Sequence, residues 1–185
     1  MVLYSEAIHV MGRGSGLRVN QWKAIVAMSE NCVIGNAGCL PWDIPADMAW
    51  FGEVTEGQIL VFGRSTFESL RALRPQNTYI VLTSDKDYDP AVPNVKVIHE
   101  TGEIPVAGPI GRTVWICGGS VLYRETLARC EELYITIIKA DYEGDAFFPA
   151  FEDQFEFMET LQEDDLMVIR RYRNKYLMEE EQTDG

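Results

Sequence analysis

The chain has 185 residues, of which 46% are hydrophobic and 24% charged, and its formal net charge at pH 7 is −13. This length suits one domain with a sizeable core, and no apolar run reaches the roughly 18 residues that a membrane-spanning helix requires. The acidity argues against a nucleic-acid-binding protein, because a nucleic-acid-binding surface needs a basic footprint.

Residues 1–20 are predicted to form a disordered extension. They show no sustained periodicity and contain the glycine-serine segment "GRGSG", which is typical of a flexible chain. They lack the long apolar centre and the cleavage site of a secretory signal, so we expect a cytoplasmic protein. The folded domain is expected to span residues 21–179, followed by an acidic tail at residues 180–185.

The cysteines are expected to form neither a zinc site nor a redox centre. Their spacings match neither paired zinc ligands nor a CxxC motif. With only two histidines in the chain, a transition-metal centre has few ligands, and we predict no metal. Cys117, inside the apolar run "TVWIC", is expected to pack as a small hydrophobic side chain.

From Trp22 onward, short runs of branched and aromatic residues predict β-strands. Runs this continuously apolar suit strands covered on both faces, as in a parallel sheet. Candidate helices lie between them, at about 46–54, 65–70 and 121–127. This alternation predicts an α/β fold with a mostly parallel central sheet and ligand sites at the carboxyl ends of its strands. The predicted strands are "WKAIVAM", "ILVFG", "TYIVLT", "VKVIH" and "TVWIC".

The C-terminal third has a different pattern. The segments "LYITIIKA", "FEFMET" and "LMVIRRYRNKYLM" have strand character with no helical pattern between them. This arrangement predicts an antiparallel hairpin at one side of the sheet.

The segment "CLPWDIPADMAWF" combines a carboxylate with apolar side chains. If Pro45 opens a helix, then Asp47 and Phe51 lie one turn apart with Met48 beside them. Asp47 could simply face water and stabilise the helix dipole. However, Asp43 occupies the place where a capping residue is expected, which would leave Asp47 available for a ligand.

Two strand-to-helix turns contain glycines. In "GRSTFESL", the glycine after "ILVF" lets the backbone approach a ligand, and Arg64 has the fork geometry that suits phosphate oxygens. In "WICGGSVLY", Gly118 and Gly119 precede a helix whose amides could bind a pyrophosphate. Each turn alone could be purely structural, with Arg64 a surface residue, but two such turns in one small domain favour a dinucleotide.

The segment "LYITIIKADYEGDAFFP" offers two polar side chains near the same sheet. Thr136 would project from a strand, and Asp145 could accept hydrogen bonds from the backbone of a neighbouring loop. An ordinary core strand followed by a solvated turn would give the same pattern, so no chemistry follows from these residues alone.

Taken in order and spacing, these four segments resemble dihydrofolate reductase, over nearly all of Trp22 to about Met178. The most specific motifs are "VIGNAGCLPWDIPADMAWF", "GRSTFES", "WICGGSVLY" and "EGDAFFP". The resemblance implies the dihydrofolate reductase fold and hydride transfer from NADPH to C6 of dihydrofolate, with protonation of N5. It also implies two small-molecule ligands, dihydrofolate and NADPH. We further expect a monomer without nucleic-acid or membrane partners.

The resemblance assigns roles to the carboxylate and its neighbours. Asp47 would hydrogen-bond the pterin with support from Thr136, and Asp47 and Trp42 would favour protonation. Burial is expected to raise the pKa of Asp47 toward the working pH. Leu40 lies in the loop that would close over the nicotinamide, and Asp145 would tether that loop. The implied substrate contacts are Asp47, Met48, Phe51, Leu70, Cys117, Tyr123 and Thr136.

The resemblance also implies the cofactor contacts. Backbone groups of Ala27 and Ile34 would hold the carboxamide, the Gly118–Gly119 peptide would be cis as in the family, and Arg64 would pair with the 2′-phosphate, which favours NADPH over NADH. The full implied set is Ala27, Ile34, Gly35, Gly63, Arg64, Ser65, Thr66, Thr83, Ser84, Gly118, Gly119, Ser120 and Val121.

One departure from the family concerns the glutamate tail of folate. The arginine that usually clamps its α-carboxylate corresponds to Asn77, which cannot form a bidentate charge-assisted pair. Arg71 and Arg74 are nearby alternatives. We therefore predict weakened selection for the tail. Two other functions stay open, a pyrimidine reductase of riboflavin synthesis and a catalytically silent NADPH-binding module.

Overall fold

An eight-stranded sheet organises the computed structural model, which describes residues 22–109 and 111–177. The expected N-terminal extension and acidic tail lie outside the described residues, as do residues 21, 110, 178 and 179 of the expected domain. The strands are β1 Trp22–Ser29, β2 Val33–Gly35, β3 Ile59–Gly63, β4 Thr78–Leu82, β5 Val95–Ile98, β6 Val114–Ile116, β7 Cys130–Ile138, β8 Ala146–Phe147, β9 Phe155–Glu163 and β10 Met167–Asn174. The order of the strands across the large sheet is β5-β4-β3-β6-β1-β7-β10-β9.

The sheet is parallel from β5 to β7 and antiparallel at its C-terminal side. Each neighbouring pair from β5 across to β7 is parallel, whereas β10 pairs antiparallel with both β7 and β9. The predicted fold class is therefore confirmed, because parallel strands joined by helical crossovers occupy the centre and a hairpin occupies one edge.

Both faces of the central strands are covered by apolar side chains. Along β3, Val61 packs into one buried cluster together with Trp22 and Leu133. Its neighbours Leu60 and Phe62 pack into a second cluster on the other face. Successive side chains of a strand point to opposite faces, so the continuous apolar run in the sequence results from burial on both sides.

The helices nearly match their predicted ranges. They are α1 Pro45–Val54, α2 Arg64–Glu68 and α3 Ser120–Thr126, so α2 begins one residue earlier and is shorter than expected, and α3 is displaced by one residue. None of the helices among residues 22–109 and 111–177 is long and apolar enough to cross a membrane.

The expected capping role of Asp43 is wrong. The N-cap residue of α1 is Ile44, without a side-chain capping bond, and Asp43 is exposed. The Ile44 carbonyl already accepts hydrogen bonds from the amides of Asp47 and Met48, so the helix begins at the residue immediately before Pro45. Asp43 lies one position too early to cap it.

A small second sheet supports the loop that precedes α1. Strands β2 and β8 pair antiparallel, and an isolated bridge between Asn36 and Cys39 continues the ordered backbone beyond β2. The loop carrying Leu40 and Trp42 is therefore anchored at one end by this sheet and at the other by α1.

Candidate active site

The two glycine turns predicted from the sequence touch each other. The Gly63 amide at the end of β3 donates a 2.7 Å hydrogen bond to the Gly118 carbonyl beyond β6, and the Gly118–Gly119 peptide is cis. Because the carboxyl ends of parallel strands share one edge of the sheet, the fold brings together turns that are far apart in sequence.

The backbone around the second turn leaves no room for side chains. Gly118 has φ of +108°, and a Cβ on it would lie 3.1 Å from the ring of Tyr123, while a Cβ on Gly119 would lie 2.9 Å from Oγ1 of Thr66. The Oγ atom of Ser120 is buried and has no hydrogen-bond partner among the described residues. A backbone turn without side chains, beside an unpaired hydroxyl, suits an anionic ligand.

A cleft of about 510 Å³ extends from the first turn toward the end of β4. Six residues predicted to bind the cofactor line it, namely Gly63, Arg64, Ser65, Thr83, Ser84 and Val121. Seven further lining residues were not predicted, and four of them carry ionisable side chains: Glu68, His99, Glu100 and Glu125. Glu125 could have been found from helical spacing, because it follows Val121 by four residues on α3. Glu68 could have been found in the same way, because it follows Arg64 by four residues on α2. His99 and Glu100 carried no recognisable sequence signal.

Arg64 is engaged within the protein. Its Nε donates to Glu68 at 2.9 Å and its Nη1 donates to Asp85 at 2.7 Å, while the guanidinium lies 4.4 Å from the ring centroid of Tyr88. None of these three contacts was predicted from the sequence. Two carboxylates thus share the arginine expected to bind the 2′-phosphate.

Asp47 is a buried carboxylate with one polar partner identified on β7. Its side chain is 5% exposed, and Thr136 donates a hydrogen bond to it. Burial raises the pKa of the Asp47 carboxyl above its ordinary value, and the hydrogen bond from Thr136 opposes part of this rise. A carboxyl group in this environment can hold a proton closer to neutral pH than an exposed aspartate can.

The register of the sheet brings the predicted substrate and cofactor residues together. Thr136 on β7 lies directly opposite Ala27 on β1. Ala27 in turn packs against a buried cluster that contains Trp42. The partner of Asp47 is therefore adjacent to the strand predicted to contact the nicotinamide.

Trp42 supplies an unpaired donor beside this region. It is buried, and its ring packs edge-on against Tyr142 with centroids 5.3 Å apart. Its indole Nε1 has no hydrogen-bond partner among the described residues. Buried donors are normally satisfied, so this group suits a bound water or ligand.

The apolar wall predicted for the substrate is formed from several elements. Phe51 on α1 and Leu70 after α2 pack against the cluster that includes Cys117. Burial raises the pKa of the Cys117 thiol well above its ordinary value, which agrees with an inert packed side chain. Met48 and Leu40 are exposed, at 53% and 43%.

Tyr123 is placed in the core rather than at an open surface. It is buried at 2% exposure, and its hydroxyl donates a 2.6 Å hydrogen bond to the Ile25 carbonyl. The hydroxyl is therefore engaged with β1, and any contribution to a substrate site would come through the ring.

Asp145 contacts the loop after β2. Its Oδ2 accepts a 3.1 Å hydrogen bond from the Ala37 amide, and its own amide donates at 3.1 Å to the Gly35 carbonyl. Ile34 and Gly35, both predicted near the cofactor, belong to β2 itself. This pair of hydrogen bonds ties the turn after Tyr142 to the loop that leads to α1.

Asn77, at the position of the family's tail-binding arginine, is a buried amide. Asn77 is 2% exposed, and its Oδ1 has no partner among the described residues. Arg71 is exposed. Arg74 is directed toward α1, where Nη1 donates a 2.8 Å hydrogen bond to the Gly52 carbonyl, a contact that the sequence analysis missed.

A metal site is not evident in the part of the chain that the structure describes. There, no group of three or more histidine, cysteine, aspartate or glutamate residues could hold a metal ion.

Comparisons with known proteins agree with this geometry. The family model for dihydrofolate reductase matches residues 21–176. Dihydrofolate reductase of Mycoplasma genitalium is 33% identical over 156 residues, covering 82% of this chain and 97% of its own. That of Staphylococcus aureus is 37% identical over 131 residues, covering 70% and 79%.

A solved structure extends the comparison to the fold. Dihydrofolate reductase from Enterococcus faecalis, complexed with NADP(H) and RAB-propyl, is 36% identical and aligns with a TM-score of 0.73. The alignment covers 84% of this chain and 96% of that one. The resemblance inferred from the motifs is confirmed, and the chain belongs to the dihydrofolate reductase family.

Proposed function

We propose that this protein reduces 7,8-dihydrofolate to 5,6,7,8-tetrahydrofolate with NADPH. Membership of the family makes it an oxidoreductase, and the related structure from Enterococcus faecalis contains NADP(H). The observation that carries the proposal is the buried Asp47 carboxyl with its raised pKa, hydrogen-bonded to Thr136. A buried carboxyl costs free energy unless it serves a partner, and a pterin ring with amino and imino groups is a suitable one.

The residues of the cleft fit a phosphorylated dinucleotide. The glycine turns carry no side chains, Ser120 offers an unpaired buried hydroxyl, and Arg64 and Ser84 both line the cleft. We assign the pyrophosphate to Gly118–Ser120 and the adenosine end to Arg64, Ser65, Thr83 and Ser84. Bound NADPH supplies the hydride.

The protein's own groups orient the substrate and manage the proton. Asp47 holds the pterin, and Thr136 fixes the carboxyl orientation. Because the raised pKa keeps a larger fraction of Asp47 protonated near neutral pH, this region favours proton delivery toward N5, with the unpaired Trp42 Nε1 positioned to hold an intervening water. Phe51, together with Leu70 and Cys117 in the same apolar cluster, excludes water from the rings.

The loop before α1 is proposed to close over the reacting rings. Leu40 is exposed in this loop, so it has an apolar side chain available for closure. Asp145 holds the loop through the Ala37 amide. Loops of this kind commonly limit turnover because they must open to release product.

The protein is further proposed to act as a cytoplasmic monomer. Every residue assigned above comes from one chain, so the site needs no second copy. The four cysteines Cys32, Cys39, Cys117 and Cys130 are free thiols, which suits a reducing compartment.

The test is NADPH consumption with dihydrofolate by the native chain, Asp47→Asn and the exposed control Asp43→Asn. We expect turnover by the native chain and the control, and a loss of about 10²- to 10⁴-fold in Asp47→Asn, the usual contribution of acid–base catalysis. Native activity should fall as pH rises through the Asp47 pKa, because the protonated form is lost.

Two outcomes would contradict the proposal. NADPH binding without turnover by the native chain would indicate the silent module. Turnover of a ribosylaminopyrimidine instead of dihydrofolate would indicate the pyrimidine reductase of riboflavin synthesis, which the comparisons do not favour.

A further inference from the structure

The ion pairs of Arg64 alter the charge of the cofactor cleft. Arg64 donates through Nε to Glu68 and through Nη1 to Asp85. All three side chains are partly exposed, and exposed ion pairs contribute little to folding stability. Their main physical consequence is therefore local: two negative charges compensate the one positive charge of Arg64.

The remaining lining of the cleft does not restore positive charge. Glu100 and Glu125 also line the cleft and add their carboxylates to that of Glu68. A 2′-phosphate placed beside Arg64 would meet these negative charges in a small cleft, and its binding would require Arg64 to share or release its present partners.

Asp85 is held in place for this contact. Its Oδ1 accepts a 3.0 Å hydrogen bond from the Asp87 amide, while Oδ2 accepts from Arg64. Its own amide donates a 3.2 Å hydrogen bond to Oγ1 of Thr83. A carboxylate fixed by its own loop competes with a phosphate more strongly than a mobile one, because it loses less conformational freedom in the pair.

We propose that Asp85 is a specificity-determining residue that weakens the preference for the 2′-phosphorylated cofactor, so that the protein also accepts NADH. This inference rests on the proposed function, which assigns the adenosine end of NADPH to Arg64. Asp85 acts by occupying Nη1 of the arginine, and removal of its charge frees that donor for the 2′-phosphate.

The test compares binding of adenosine 2′,5′-bisphosphate with that of AMP by calorimetry. We expect Asp85→Asn to raise the ratio of the two affinities by about tenfold, the order of magnitude of one charge-assisted hydrogen bond. The asparagine keeps Oδ1 as an acceptor for the Asp87 amide. Asp87→Asn is the matched control, since it removes one charge from the same loop without removing the carboxylate that binds Arg64.

A second variant isolates the route of the effect. In an Arg64→Gln background, Asp85→Asn should no longer change the affinity ratio, because the shared donor is gone. The proposal is overturned if the ratio is unchanged or falls in Asp85→Asn, if Asp87→Asn raises it equally, or if neither nucleotide binds the native chain.

Turnover provides a separate readout. With dihydrofolate, the ratio of kcat/KM for NADPH to that for NADH should rise in Asp85→Asn by a similar factor. Nucleotide binding with the expected ratios but no dihydrofolate reduction would refute the proposed function while supporting the role of Asp85.

Discussion

The guanidinium of Arg74 rests directly on the backbone of Gly52. Nη1 donates a 2.8 Å hydrogen bond to the Gly52 carbonyl, and a Cβ at position 52 would overlap the guanidinium. The arginine lies near the C-terminal end of α1, where a positive charge interacts favourably with the helix dipole. The Arg74 guanidinium therefore occupies the space that a side chain at position 52 would need.

This link predicts a stability coupling. In an Arg74→Ala background, Gly52→Ala should stabilise the protein by about 0.5–1 kcal/mol through helix propensity. With Arg74 present, the gain should be largely offset, because the new methyl group displaces a hydrogen bond contributing about 0.5–1.5 kcal/mol. Urea denaturation of the native chain, the two single variants and the double variant measures the coupling energy between the two positions. A coupling energy indistinguishable from zero would show that the guanidinium simply moves aside.

The buried carboxyl predicts pH-dependent stability. The folded-state pKa of Asp47 is raised above the unfolded value, with burial as the main cause, so the folded state binds more protons between those values. Its contribution to stability is present below the unfolded pKa and is lost as pH rises through the folded pKa. Asp47→Asn should therefore melt at a higher temperature than the native chain at pH 8.

The difference should shrink as the pH is lowered toward the usual range of an aspartate. For a chain of this size, each 1 kcal/mol corresponds to about 2–4 °C in Tm. Circular dichroism at pH 5 and pH 8 measures this difference, with Asp43→Asn as the exposed control. An equal Tm difference at both pH values would contradict a raised pKa of Asp47 in the folded state.

The contact between Asp145 and Ala37 predicts how the loop is held. Asp145→Ala removes the acceptor of the Ala37 amide, so hydrogen exchange around residues 36–40 should accelerate by about tenfold, the order of one hydrogen bond. Asp145→Asn keeps an oxygen acceptor, so its exchange rate should lie between those of the native chain and Asp145→Ala. Glu143→Ala, an exposed carboxylate in the same turn, serves as the control.

If the loop must close for hydride transfer, Asp145→Ala should also lower the rate constant of hydride transfer measured under single-turnover conditions. Faster exchange without any change in that rate would show that the Asp145–Ala37 hydrogen bond holds the loop but does not contribute to hydride transfer.

Asn77 predicts weak recognition of the folate tail. It is buried and uncharged, so it offers no ion pair to the α-carboxylate, and Arg74 is already bonded to Gly52. We expect kcat/KM for dihydrofolate and dihydropteroate to differ by less than about tenfold, the scale of one charge-assisted hydrogen bond. A much stronger preference for dihydrofolate would mean that another cation binds the tail, and Arg71→Gln and Arg74→Gln would then identify it.

The sequence by itself determined the eight strands of the large sheet, the parallel pairing of its central strands and the two glycine turns, but it did not predict the short strands β2 and β8. Those features depend on local signals: apolar runs buried on both faces, glycines where the chain turns tightly, and a proline at the start of α1. The position of Asp47 on an apolar helix face was also readable, because helical spacing links it to Phe51.

Only the tertiary structure decided which charged and polar groups have partners. Arg64 meets Asp85, 21 residues away, and Arg74 meets Gly52, 22 residues away, while the hydroxyl of Tyr123 reaches Ile25 across 98 residues. The Asp43 cap failed for a local reason instead, because the Ile44 carbonyl accepts the first helical hydrogen bonds. The contacts between distant residues are different. Such partners depend on the approach of distant segments during folding, which no local pattern of residues records.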